Sequence, residues 1–82
     1  MKVTTSTGVE LDTEGLWAKD ATNYAKQLGL TNIIVTVATH KDGSKEYLIL
    51  EDNQASYDSQ KYEDILCHIE MMALAKKGEN GK

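Results

Sequence analysis

Two strand-forming runs stand on either side of an Asp-Gly pair. Ile33-Ile34-Val35-Thr36-Val37 is β-branched throughout, and Glu46-Tyr47-Leu48-Ile49-Leu50-Glu51 follows soon after. β-Branched and aromatic side chains suit a pleated, half-buried surface, and Asp-Gly is a favoured centre for a two-residue type I′ hairpin turn. Residues 32–39 and 46–51 therefore read as one long hairpin. A two-residue turn at Asp42-Gly43 sets its register by arithmetic, with Val37 opposite Leu48 and Val35 opposite Leu50. One face then carries Ile33, Val35, Val37, Leu48 and Leu50. The other carries Ile34, Thr36, Ala38, Tyr47 and Ile49.

Other segments give simpler signals. Residues 2–11 read as a short hairpin, or as a single strand, with Ser6-Thr7-Gly8 as a three-residue turn that pairs Thr5 with Val9 and Val3 with Leu11. Residues 13–28 read as a helix capped by Asp12 or Thr13, with Glu14 in its first turn. Trp17, Ala21, Tyr24, Ala25 and Leu28 repeat at steps of three and four, which makes one helical stripe. Gly29 stops this helix in the left-handed conformation, and Leu30 folds back against it. Residues 57–76 read as a second helix, entered through Ser56 or Asp58, with Tyr62, Ile65, Leu66, Ile69, Met72 and Ala73 as its apolar stripe. Lys76 to Lys82 is polar and reads as a fraying end, flexible over residues 78–82.

The expectation is one α+β domain over residues 1–77, in the order hairpin–helix–hairpin–helix (ββαββα), with both helices on one face of an antiparallel sheet. Strand order has no signature in the sequence. Eighty-two residues support a single core, and a core of this size yields a net stability on the order of 3–5 kcal/mol.

Charge narrows the function classes. Thirteen acids face nine lysines, there is no arginine, and the net charge is −4. Nucleic-acid binders need basic patches and favour Arg for phosphate and guanine, so direct nucleic-acid binding is disfavoured. No apolar run is long enough to span a membrane. The opening Met1-Lys2-Val3-Thr4-Thr5 lacks the apolar stretch of a secretory signal. The expected location is the cytoplasm of the producing cell or of an infected host.

Residues suited to bond-making chemistry are sparse. The six glycines are isolated, so no loop offers successive backbone N–H groups to a phosphate. The candidate nitrogen and sulfur ligands are His40, His68 and Cys67. The last two are neighbours on a helix and diverge by about 100°. Glu63, Asp64 and Glu70 surround Cys67 and disfavour a thiolate. Glu51-Asp52-Asn53-Gln54 lacks the alternating ligands of a calcium loop. The expectation is therefore no catalytic residue, no metal and no cofactor, and a protein that works by binding another protein.

Three surfaces are left for a partner once the core is assigned. Cys67, Met71 and Leu74 form a second stripe on the C-terminal helix, a candidate self-association seam unless that helix sits deeper or packs on the first. Ile34, Tyr47 and Ile49 lie on the sheet face away from the expected helices. The third is acid density: from Glu46 to Glu70 there are seven acids and one lysine, Lys61. Glu46, Glu51, Asp52, Asp58, Glu63 and Asp64 are the candidates for meeting a basic partner, the alternative being a merely solvated face.

Leu30-Thr31-Asn32-Ile33-Ile34, then Asp42-Gly43, then Glu46-Tyr47 and an acid-rich stretch leading into a helix resemble small acidic phage-encoded anti-CRISPR proteins. The likeness covers the central hairpin. The chain departs from the more acidic members in charge and in its opening hairpin. The resemblance implies an inhibitor of a CRISPR-type defence protein, whose basic DNA groove would be occluded by the six acids named above. A double-stranded RNA-binding domain has a similar element content, but it needs a lysine-rich start to its last helix. Here that segment reads Asp58-Ser59-Gln60-Lys61-Tyr62-Glu63-Asp64.

Overall fold

A computed structural model of the chain describes residues 2–80. The elements are β1 (Lys2–Thr4), β2 (Glu10–Asp12), α1 (Leu16–Gln27), β3 (Ile33–Thr39), β4 (Lys45–Glu51), β5 (Gln54–Ser59) and α2 (Tyr62–Asn80). All five strands form one antiparallel sheet in sequential order, β1-β2-β3-β4-β5. The α+β class agrees with the sequence, and both helices share one core with the same sheet face. The ββαββα order does not hold, because a fifth strand precedes α2.

The first hairpin forms as read, with Val3 opposite Leu11. Its loop closes with the Thr5 N–H donating to the Val9 carbonyl at 2.8 Å and the Gly8 N–H to the Thr5 carbonyl at 3.0 Å. The second hairpin closes in the same way, and this corrects the expected two-residue turn. The His40 N–H donates to the Ser44 carbonyl at 2.8 Å, and the Gly43 N–H donates to the His40 carbonyl at 2.9 Å. The loop is thus Lys41-Asp42-Gly43, with Gly43 at φ +88°, the left-handed position that ends a three-residue loop. Ser44 is the reason. Its N–H and hydroxyl both donate to the Asp42 carboxylate, at 2.9 and 2.6 Å. They hold that carboxyl below its ordinary range and draw Ser44 into the turn.

One extra loop residue moves β4 by one position. Val35 lies opposite Ile49, Val37 opposite Tyr47 and Thr36 opposite Leu48. A one-residue slip exchanges the two faces of a strand. Tyr47 and Ile49 therefore join Ile33, Val35 and Val37 under the helices, while Leu48 and Leu50 turn to the other side.

The type I′ turn occurs one hairpin later, at Asp52-Asn53, where both residues have positive φ, +53° and +69°. It pairs Glu51 with Gln54 and starts β5. The segment expected to open the second helix, with Ser56 or Asp58 as its cap, is strand instead. A bulge falls between the pairs Ile49–Tyr57 and Leu50–Ala55, and the Ser56 hydroxyl at the bulge donates to the Ile49 carbonyl at 3.3 Å. Ser59 then leads the chain into α2. Its hydroxyl accepts the Lys61 N–H at 3.1 Å and donates to Asp64 at 2.9 Å. The polar stretch from Lys76 onward is the end of α2, which runs to Asn80. Gly81 and Lys82 lie outside the described residues.

Helix α1 starts later than its capping signals suggest. Its N-cap is Gly15, with no side-chain cap. Asp12 belongs to β2, and its carboxylate accepts the Glu14 N–H at 2.9 Å within the connecting turn. The far end matches the sequence. Gly29 has φ +90°, and the Leu30 N–H reaches back to the Ala25 carbonyl at 2.9 Å, a Schellman closure that buries Leu30.

The core consists of Ala18, Ala21 and Ala25 of α1, Leu30 of the connection that follows it, Ile33 and Val35 of β3, Ile49 of β4, and Ile65 and Ile69 of α2. The buried face of α1 is thus made of alanines. Trp17 and Leu28 of the expected stripe sit at its margins, and Trp17 packs against Tyr62 at 5.0 Å between ring centroids. Strand β2 is short, and its last pairing with β3 is at Val37. Beyond it, Thr22 of α1 serves the β3 edge: its hydroxyl accepts the Val35 N–H at 2.9 Å and donates to the Ala18 carbonyl at 2.9 Å. Thr22→Val leaves that N–H unpaired beside a buried residue. It is expected to lower the unfolding free energy by about 1–3 kcal/mol in urea denaturation.

Candidate functional site: the open sheet face

Alternation along the strands puts Val3, Leu11, Ile34, Thr36, Ala38, Leu48 and Leu50 on the face opposite the helices. Pairing sets them in three rows: Val3–Leu11–Ala38–Glu46, Thr36–Leu48–Asp58, and Ile34–Leu50–Ala55. Among the described residues neither helix packs on this face, since α1 and α2 bury their apolar sides against Ile33, Val35 and Ile49. Val3 is 51% exposed and Ile34 38%. A groove of about 480 Å³ is lined by Val3, Leu11, Ile34, Thr36 and Leu50 of the sheet and by Lys19 and Thr22 of α1.

Thr36 is the unusual residue. It is fully buried, and its Oγ1 has no hydrogen-bond partner. Hydroxyls in such places nearly always find one. This one lies beside the groove among apolar side chains, beneath the accessible surface. Thr36→Val keeps the shape and removes the unpartnered oxygen. It is expected to raise the unfolding free energy by about 1 kcal/mol, read from the urea midpoint.

Of the six acids named from the sequence, the sheet brings two together here. Asp58 pairs with Leu48, and Glu46 stands next along β4 on the same face. Glu46 also meets His40, with His40 Nε2 and Glu46 Oε1 2.8 Å apart. The other four are dispersed. Glu51 alternates to the helix side, and Asp52 is in the β4–β5 turn, where Asn32 contacts it at 3.5 Å. Glu63 and Asp64 are in the first turn of α2.

Of the three sheet-face residues named from the sequence, only Ile34 is on the open face. Ile49 is fully buried in the core. Tyr47 is partly buried under the helices and packs on Tyr62 at 5.5 Å. The altered register accounts for both. Leu48 and Leu50 take the places that Tyr47 and Ile49 were expected to fill, beside Thr36. Ser44 beside Asp42-Gly43 was the available signal for that change.

The Cys67, Met71 and Leu74 stripe is exposed along its length. His68 is not free in solvent: its ring stacks on Tyr57 at 4.1 Å, nearly parallel. No group of three or more His, Cys, Asp or Glu among the described residues is arranged to hold a metal ion. No helix among them is long and apolar enough to cross a membrane. Comparison with family models, curated proteins and solved structures finds no match.

Proposed function

We propose that this chain is a non-catalytic binding module that docks a basic, partly apolar segment of another protein on its open sheet face. The observation that carries this reading is the apolar groove lined by exposed Val3 and Ile34 together with Leu11 and Leu50. Contiguous apolar surface rimmed by charge is characteristic of interaction sites. Glu46 and Asp58 flank Leu48, so lysines or arginines of a partner meet carboxylates beside the apolar rows, and the net charge of −4 favours approach of a basic surface. Inhibition of a nucleic-acid-binding defence protein, which carries a basic groove, is one activity of this class.

The test is an NMR titration with a synthetic peptide of alternating leucine and lysine. Shifts are expected at the amides of Ile34, Thr36, Leu48 and Leu50. The charge reversals Glu46→Lys and Asp58→Lys, made together, are expected to weaken binding by roughly tenfold or more, and added salt to weaken it progressively. Shifts confined to the helices, or affinity indifferent to both charge and salt, would overturn the reading.

A further inference from the structure

A second apolar surface lies on α2, on the side turned from the sheet. At about 100° per residue, Cys67, Met71 and Leu74 fall within one narrow sector, opposite the fully buried Ile65 and Ile69. Met71 is 66% exposed and Leu74 69%. Leu28, at the end of α1, shares with Leu74 a groove of about 890 Å³ that Glu70 and Lys77 also line.

We propose that this surface takes a second copy of the chain, with the two α2 helices antiparallel. The positions 67, 71, 74 and 78 alternate steps of four and three, the spacing of a helix–helix seam. Glu70 and Lys77 each stand one residue before a seam position, so both lie on the same flank. Two antiparallel registers are available, one heptad apart. In the first, Met71 of each copy packs on Leu74 of the other, and each Glu70 faces the other copy's Lys77. In the second, Glu70 faces Glu70, and Asp64 is pushed into the seam against Leu74. A parallel pair sets Glu70 beside Ala75, with no opposite charge to meet. Charge complementarity therefore selects the first antiparallel register.

The side chains are ready for this contact. Glu70 accepts the Tyr24 hydroxyl through Oε2 at 2.6 Å, which holds it in place and raises the Tyr24 hydroxyl above its ordinary range. Its other oxygen remains for a lysine. Lys77 is exposed. A seam of three apolar side chains from each copy belongs at the low end of specific interfaces, so the dimer is one of micromolar or weaker affinity. The open sheet face is on the far side of each copy, so pairing through α2 is independent of the binding reading above.

Sedimentation velocity from about 5 to about 500 µM tests the proposal, with circular dichroism confirming that each variant is folded. The wild-type mass is expected to rise toward twice that of the monomer, and Leu74→Lys to remain monomeric throughout. Lys77→Glu alone sets like charges together and is expected to weaken pairing roughly tenfold. Adding Glu70→Lys to it reverses both charges and is expected to restore pairing to within about threefold of wild type. A wild-type monomer at the highest concentration overturns the dimer. A double reversal that pairs no better than Lys77→Glu overturns the antiparallel register.

Discussion

Replacing Ile49 with alanine is expected to cost about 3 kcal/mol, whereas the same change at its neighbour Leu48 costs about 1 kcal/mol or less. Ile49 is fully buried between β3 and α2, and its removal leaves a cavity lined by Val35, Ile65 and Ile69. Leu48 lies on the open face, where water already reaches it, so its truncation gives up less burial and leaves no closed void. For a domain whose whole stability is a few kcal/mol, the Ile49 variant is expected to be substantially unfolded at room temperature. Urea denaturation of the two variants reads the difference directly. A two-residue loop at Asp42-Gly43 would interchange the two residues and reverse the ranking. Equal or reversed costs would therefore show that the β3–β4 register is wrong.

Ala21→Leu is expected to be about as damaging, for the opposite reason. Ala18, Ala21 and Ala25 are all fully buried, so α1 sits against β3 largely through small side chains. The same close seat lets the short Thr22 side chain reach the Val35 N–H at 2.9 Å. A leucine at 21 has no space to enter. It must lift the helix, break that hydrogen bond and open the contacts of Ile33 and Val35, at a cost of about 3 kcal/mol. Ala21→Gly, which adds no volume, is expected to cost only about 1 kcal/mol through helix propensity. The urea midpoints of the two variants separate overpacking from propensity. A leucine variant as stable as wild type would mean that α1 does not sit where the alanines place it.

The same two helices show which parts of the fold can be read locally. The end of α1 needs only Gly29 in a left-handed conformation and an apolar Leu30 to fold back, and both are adjacent in the chain. The three-residue loop at Ser6-Thr7-Gly8 is local in the same sense. So is the stripe of Ile65 and Ile69, because helical spacing alone carries it. The start of α1 is different. Asp12 has the chemistry of a cap, but pairing of β2 with β3 claims its backbone, and that competition involves residues far along the chain.

The candidate site was legible only in part. The sequence points to Ile34, and to Glu46 and Asp58 as acids, although not as a pair. The faces of Tyr47 and Ile49 are not legible in the sequence, because Tyr47-Leu48-Ile49-Leu50 is apolar at every position. Without alternation, hydrophobic pattern gives no preference between the two registers. Gln54-Ala55-Ser56-Tyr57-Asp58-Ser59 is mostly polar, and it becomes β5 because the edge of β4 is available to pair with it.

Local pattern and composition suffice for the class of the domain, the existence of β3 and β4, the stop of α1, the buried stripe of α2 and the acidic balance. Each of these rests on interactions within a turn or two of chain, or on composition. Long-range contacts alone set the β4 register, the fifth strand and the burial of Thr36 without a hydrogen-bond partner. Those depend on which of two similar apolar side chains the helices bury, a choice made by packing between segments distant in sequence.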